Sequence, residues 1–389
     1  MSEWDFDTVV IGCGMVGMAI AAAVAARGQA VLALEAGSRP GEETSARNSE
    51  VVHAGLYYPT GTLKHRFCVT GRRMLYDFMD RTGVDYRKCG KLIVATSDAE
   101  EEQLGRIHAL GTANGVEGLE MIPAAEVARR EPVLSAQAAL LSHETGVFDS
   151  HSVLQRQLAV LEAHEGLMAL RSPVASVERE GGGFRVHTGG DDPTTISTRR
   201  LVNAAGLWAP GVAHRIEGMP PEAVPDQWLA KGCYFRLSGR SPFSHLIYPV
   251  PVDGGLGVHA TLDLGGATRF GPDVEWLPPG TTPDRIDYRV DPARAPVFEE
   301  AIRRYWPDLP DGRLEPDYSG VRPKLRGPGE GFFDFDLQDV ETHGLSGLVN
   351  LFGMESPGLT SALALGEAVA AAVCEQQPLP RAEPAEATG

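Results

Sequence analysis

The stretch FDTVVIGCGMVGMAIAAAVAARGQAVLALE, Phe6 to Glu35, decides the fold. FDTVVI is a β-branched apolar run of the kind buried on both faces of a parallel sheet. Gly12-x-Gly14-x-x-Gly17 follows at once. The next segment is Ala-rich and stops at Gly28, so it predicts a helix whose small side chains let it lie close to a sheet. A second apolar run, AVLALE, then ends in Glu35. Strand, glycine turn, helix, strand and acid in that order form a dinucleotide cradle. Gly12 allows the tight turn, Gly14 lets a pyrophosphate approach the backbone, and Gly17 lets helix and strand pack closely. The free N–H groups at the helix start face the phosphates, and Glu35 accepts from a ribose. An acid at this place suits a nicotinamide or a flavin dinucleotide equally, so the choice rests on the rest of the chain.

Working outward, a helix is expected around Thr70 to Arg81, a strand in GKLIVATS, and helices in AEEEQLGRIHALGTANG and, from Ser150, in HSVLQRQLAVLEAHEG. RSPVASVERE and GFRVHT alternate like strands and lead through GGDDPTT to LVNAAG, a buried strand whose small end, with Gly206, lets backbone pass near a cofactor. Residues 212–320 differ in texture, with many prolines and aromatics and short runs such as KGCYFRLS, HLIYPVP and GLGVHATLDLGG. They predict an antiparallel sheet and a substrate domain, with a short helix in PVFEEAIRRYW. GLVNLFGMESPGLTSALALGEAVAAAVCEQ returns to the first texture: a buried strand, a turn at Ser356 to Thr360, and a long Ala-rich helix. The fold class is therefore α/β, a Rossmann-like domain with an α+β antiparallel-sheet substrate domain. Residues 1–85, 143–211 and 321–389 are assigned to the nucleotide domain, and 86–142 and 212–320 to the substrate domain.

Composition narrows the partners. With 389 residues two domains are expected. A formal net charge of -17 opposes nucleic acid and anionic membrane as broad-surface partners, but not a small anion held by a few cations in a cleft. The 5 cysteines are scattered, without a C-x-x-C pair, which points away from a disulfide framework or a zinc site and toward a reducing compartment. The acidic start MSEWDFD does not look like a secretory signal, and no apolar run is read as a membrane span of ~20 residues. The expected location is cytoplasmic, with peripheral contact to the inner membrane left open. The tail PLPRAEPAEATG is expected to fray.

Together these segments resemble the D-amino-acid-oxidase-like superfamily of FAD oxidoreductases, the glutathione-reductase type 2 group. The resemblance runs through VVIGCGMVG with Glu35, LVNAAG, Arg322-Pro323 and SPGLT. TSARNSEVVHAGLYYPTGTLK, CGKLIVATSD, LSHETGVFDSH, GVHATLD, YSGVRPKL and NLFGMESPGLTSALALG are similar to L-2-hydroxyglutarate dehydrogenases and oxidases. The resemblance implies FAD rather than a nicotinamide. It also implies oxidation of a 2-hydroxy acid to the 2-oxo acid by hydride transfer to flavin N5, with oxygen, a quinone or an electron-transfer protein as acceptor. On the same ground Gly12, Gly14, Gly17 and Glu35 hold the ADP half, Ser45 and Asn48 lie along the pyrophosphate or ribityl chain, and Val174 brackets adenine through its backbone. Gly358, Leu359 and Thr360 approach the isoalloxazine.

Such a reaction needs a group to fix a carboxylate and a base to accept the hydroxyl proton. Arg322 stands where the superfamily grips a carboxylate, and a guanidinium fork suits that task. His259, expected on a strand, is the favoured base because imidazole titrates near neutrality. His53 in HAGLYYPTG is its rival and a candidate for covalent flavin attachment, with Tyr57 and Tyr58 walling the pocket. Lys64, Lys231 and Lys324 are candidates for a distal carboxylate, although each reads more readily as a solvated surface residue. An amino-acid or amine oxidase on the same scaffold, or a flavin-binding accessory protein without turnover, are the other functions these residues allow.

Overall fold

The computed structural model describes residues 4–251 and 257–383. The strand Phe6–Ile11, whose last four residues are buried, lies between Val31–Leu34 and Thr195–Asn203 and pairs with both in parallel. The parallel series continues to Leu167–Ala169 beyond Val31–Leu34, and to Leu348–Phe352 beside the second half of Thr195–Asn203. The first half of that long strand pairs instead with Gly183–Thr188, which forms an antiparallel hairpin with Val174–Glu180. With Asp336–Gln338 on the far edge the sheet has eight strands. A buried parallel core with antiparallel additions at its rim is what continuous apolar runs and alternating ones dictate respectively.

Helix Met15–Ala25 covers this sheet, and helix Gly358–Glu375 packs on it so closely that a Cβ at Gly366 would lie 2.7 Å from the Ala19 carbonyl oxygen. The latter helix has 18 residues of mean hydropathy 1.3, long and apolar enough to cross a membrane by length and composition, contrary to the reading that no run is. Its apolar face is buried against Met15–Ala25 and Leu63–Thr82, which accounts for that composition without a bilayer. Leu63–Thr82 is itself longer than expected: Thr62 caps its start by accepting from the His65 amide, and Gly83 ends it in a left-handed conformation.

A second, nine-stranded sheet is mostly antiparallel. Its order is Glu275–Trp276, Trp228–Leu237, Thr268–Phe270, Ala260–Leu262, Leu246–Pro249, Lys91–Ala95, Ala138–Ser142 and Leu119–Pro123, with Leu314–Lys324 on the other side of Trp228–Leu237. Leu246–Pro249 and Lys91–Ala95 are its parallel pair. Helix Ala295–Arg303 contributes Phe298 and Ile302 to the core of this layer, where Phe298 tilts against Phe235. A small sheet of Val51–Val52, Gly146–Phe148 and Tyr86–Arg87 lies apart from the two large ones.

Two stretches depart from the assigned boundaries. Leu314–Lys324 carries Arg322 and Lys324 inside the nine-stranded sheet, and Val212, Ile216 and Val224 pack with Val177 and Leu201 on the nucleotide sheet. The tail is tied down as far as Glu383. Leu379 is buried, Arg381 donates to the Leu337 carbonyl at 2.8 Å, and the Glu383 amide donates to the Gly61 carbonyl at 3.0 Å. The remainder of the expected frayed tail, 384–389, lies outside the described residues, as do residues 1–3 of the acidic start.

Candidate active site

A cavity of about 970 Å³ runs from the end of strand Val31–Leu34, over the start of helix Met15–Ala25, to the nine-stranded sheet. Gly12, Gly14, Gly17, Glu35, Ser45, Asn48, Val174, Gly206, Gly358, Leu359, His53, His259 and Arg322 all line it. The glycine turn is closed to side chains. At Gly17 a Cβ would sit 1.9 Å from the Gly12 carbonyl oxygen. At Gly12, where φ is +96°, it would sit 2.6 Å from the Ala204 carbonyl oxygen. Backbone therefore forms the cavity wall at the helix start, where unpaired N–H groups and the dipole favour an anion. Ser45 supplies the cap that Gly14 cannot, accepting from the Met15 amide at 2.9 Å. Asn48 staples the same loop, donating to the Ser45 carbonyl at 2.6 Å and accepting from the Glu50 amide at 2.7 Å.

Glu35 closes the far end. Its two oxygens accept from the Cys13 amide at 2.9 Å and the Gly37 amide at 2.7 Å, which fixes the carboxylate and leaves each oxygen a second lone pair for a ribose hydroxyl. Burial, with Glu35 beside it, pushes the Cys13 thiol well up, so this cysteine is an inert packing residue. Val174 lies at the same end, and its carbonyl is engaged by Arg215 at 2.9 Å. An elongated cavity with a glycine wall, a helix start in its middle and a fixed acid at one end fits an adenine dinucleotide.

At the other end the wall is aromatic and basic. His259 immediately precedes strand Ala260–Leu262 rather than lying in it, and its ring stacks on Tyr248 with centroids 3.5 Å apart. Tyr234 stacks on Tyr318 at 4.6 Å. Arg322 extends from Leu314–Lys324 and donates to the Asp273 carbonyl at 3.1 Å, and among the described residues no carboxylate lies within ion-pair distance of it. His53 is held to the long C-terminal helix, its amide donating to the Thr360 hydroxyl at 3.0 Å and its Nε2 3.4 Å from the Ser356 hydroxyl. Burial, aided by the nearby Lys91 charge, lowers the His53 pKa to about 3, so its imidazole is neutral at working pH.

Several expected residues lie elsewhere. Tyr57 does not line the cavity; its hydroxyl is buried without a hydrogen-bond partner and its ring packs over the Lys91 ammonium at 4.8 Å. Tyr58 is likewise behind the wall, its carbonyl accepting from Asn114 at 2.8 Å. Thr360 is fully buried, its hydroxyl spent on His53 and the Val51 carbonyl, so of the SPGLT segment Ser356 and Pro357 reach the cavity along with Gly358 and Leu359, and Thr360 supports them. Gly358 and Leu359 open the C-terminal helix rather than a preceding turn. The three lysines are not solvated. Lys64 and Lys324 both bind Glu355, at 2.8 and 3.1 Å, and Lys231 donates to the Arg289 carbonyl at 2.7 Å. Burial pushes the Glu355 carboxyl up, but Lys64, Lys324 and Arg322 outweigh it and hold Glu355 below its ordinary value.

A profile described as DAO, FAD dependent oxidoreductase, matches residues 7–372. The chain belongs to that family. FAD is its cofactor, and the residues lining the nucleotide half of the cavity are those available to hold it. The chain is 44% identical to the mitochondrial L-2-hydroxyglutarate dehydrogenase of Arabidopsis thaliana, over 94% of its own length and 82% of that protein's. It is 26% identical to the L-2-hydroxyglutarate dehydrogenase of Indibacter alkaliphilus, covering 94% and 98%. Among solved structures, the dithionite-reduced L-alpha-glycerophosphate oxidase of Mycoplasma pneumoniae with FAD bound superposes with a TM-score of 0.84 at 22% identity, over 97% of this chain and 96% of that one. This last likeness shows the shared FAD-oxidoreductase fold.

Proposed function

We propose that this FAD oxidoreductase oxidises L-2-hydroxyglutarate to 2-oxoglutarate, with Arg322 binding a substrate carboxylate and His259 accepting the hydroxyl proton. The observation that carries the reading is Arg322, a guanidinium on the cavity wall that donates to the Asp273 carbonyl and, among the described residues, forms no ion pair. A half-buried guanidinium fork of this kind offers two parallel donors to a carboxylate. The high identity to a protein named for this substrate supports the choice of acid.

Bound FAD supplies the two-electron acceptor for the alcohol carbon. The chain supplies the rest. Arg322 fixes the acid end, so the alcohol lies between it and the aromatic wall of Tyr234 and Tyr248, which line the cavity and exclude water. His259, its ring plane set by Tyr248, takes the hydroxyl proton. His53 is the second candidate for that role, its imidazole neutral and its Nε2 3.4 Å from the Ser356 hydroxyl. The electrons leave to oxygen, a quinone or an electron-transfer protein, and the five free thiols suit a reducing, cytoplasmic setting with peripheral membrane contact where the acceptor is a quinone.

Steady-state turnover with a dye acceptor over a panel of 2-hydroxy and 2-amino acids tests the reading. L-2-hydroxyglutarate is expected to give the highest kcat/KM and 2-oxoglutarate as product. Turnover of amines or amino acids in its place would move the chain to the amine-oxidising branch of the scaffold.

A further inference from the structure

Lys91 has the environment of a functional charge and no place in the reaction just described. It lies on strand Lys91–Ala95, 1% exposed, and among the described residues no carboxylate is within ion-pair distance of it. Its ammonium sits 4.7 Å from the ring centre of Tyr248 and 4.8 Å from that of Tyr57. The His259 imidazole at 3.5 Å fills one face of Tyr248, leaving the other to the ammonium. Tyr248 is thus sandwiched between a cavity-lining imidazole and a buried cation.

A buried ammonium without an acid costs several kcal/mol, and an apolar side chain of the same length would avoid that cost. The charge is useful only if an anion reaches its neighbourhood during the working cycle. The cavity brings one. Arg322 marks one part of the substrate end, Tyr234 follows, and Tyr248 with His259 marks the part backed by Lys91. Among the described residues these two cations form no ion pair, one in the cavity wall and one immediately behind it.

We infer that Lys91 is a specificity-determining residue, supplying through the Tyr248 wall the positive charge that complements the second carboxylate of a dicarboxylate substrate. The inference rests on the proposed 2-hydroxy-diacid reading and adds the residue that separates diacids from monoacids. Burial lowers the Lys91 pKa to about 7, so near neutrality the empty site is only partly protonated there. A dianion in the site draws the proton on. The groups facing the ammonium are His53 from its loop, Tyr57, Tyr248 from the adjoining strand, and Cys68 from Leu63–Thr82 with Arg72 beyond it. His53 holds a neutral ring, and burial pushes the Cys68 thiol up to about 12, so neither supplies the missing anion.

The test compares 2-oxoglutarate with 2-oxobutyrate binding to the FAD-loaded enzyme, followed by perturbation of the flavin spectrum. In the wild type the diacid is expected to bind at least tenfold more tightly. In Lys91→Met that preference falls by tenfold or more while monoacid affinity stays within about twofold, and Lys91→Arg restores part of it. Equal weakening of both ligands, or an unchanged preference, overturns the inference. Titration calorimetry on the wild type at pH 8 in two buffers of different ionisation enthalpy needs no variant. Greater proton uptake with 2-oxoglutarate than with 2-oxobutyrate is expected, and equal uptake overturns it. If the wild type binds neither acid, the proposed substrate class itself fails, an outcome distinct from loss of the Lys91 effect.

Discussion

The imidazole of His259 lies flat on the ring of Tyr248, 3.5 Å between centroids and 11° from parallel. Stacking fixes the plane of the base. His259→Ala is predicted to slow flavin reduction by roughly a hundredfold or more, the usual worth of a positioned general base. Tyr248→Leu, which keeps bulk and loses the ring, is predicted to cost about 1 kcal/mol. Stopped-flow reduction of the oxidised enzyme measures both. If His53→Ala abolishes reduction while His259→Ala does not, the two histidines exchange roles.

Removing the guanidinium of Arg322 leaves the acid group of the substrate without its cation on the cavity wall. Arg322→Ala is predicted to weaken substrate binding by about 2–4 kcal/mol, roughly thirty- to a thousandfold. An unchanged dissociation constant for the product 2-oxo acid removes Arg322 from this role.

The glycine wall makes a sharper prediction than any side chain near it. Gly17→Ala places a methyl carbon 1.9 Å from the Gly12 carbonyl oxygen, so strand and helix must separate. The variant is expected to purify with little FAD and a lowered melting temperature. Stoichiometric flavin and an unaltered melting curve would show that the turn tolerates the shift.

Protonation of His53 and Lys91 ties stability to pH. The folded His53 binds a proton only near pH 3, whereas an unfolded histidine does so near ~6.5. Its contribution is therefore complete above ~6.5 and is lost as pH falls toward 3, by at most ~1.4 kcal/mol per unit. Lys91 has a folded value of about 7 against ~10.4 unfolded, so its burial cost is full below pH 7 and disappears as pH rises toward 10. Lys91→Met should accordingly exceed the wild type in urea midpoint at pH 6.5 and converge with it by pH 10. A gap that widens with pH contradicts this.

Much of the nucleotide half is legible in the sequence because it is built from backbone. Gly12 and Gly17 are dictated by close approach of main chain and Gly14 by the Ser45 hydroxyl, and the strand before them and Glu35 after them are contiguous in sequence. The substrate end is less legible because its parts come from strands far apart in the chain. Tyr234 and Tyr248 sit in apolar runs that read as core, and Lys91 in KLIVA gives no sign that its ammonium would meet two aromatic rings. Lys64 and Lys324 look like surface lysines until folding brings both to Glu355, some thirty residues from one and nearly three hundred from the other. Tyr57 is misleading for the opposite reason: its loop does reach the cavity through His53, but the next turn carries the tyrosines behind the wall.

Anaerobic mixing of the purified, FAD-loaded enzyme with each enantiomer of 2-hydroxyglutarate tests the central claim most directly. Rapid bleaching of the flavin absorbance by the L form, with the D form and the matching amino acid far slower, is the predicted result. A flavin that stays oxidised with L-2-hydroxyglutarate yet bleaches with an amine or amino acid would contradict it.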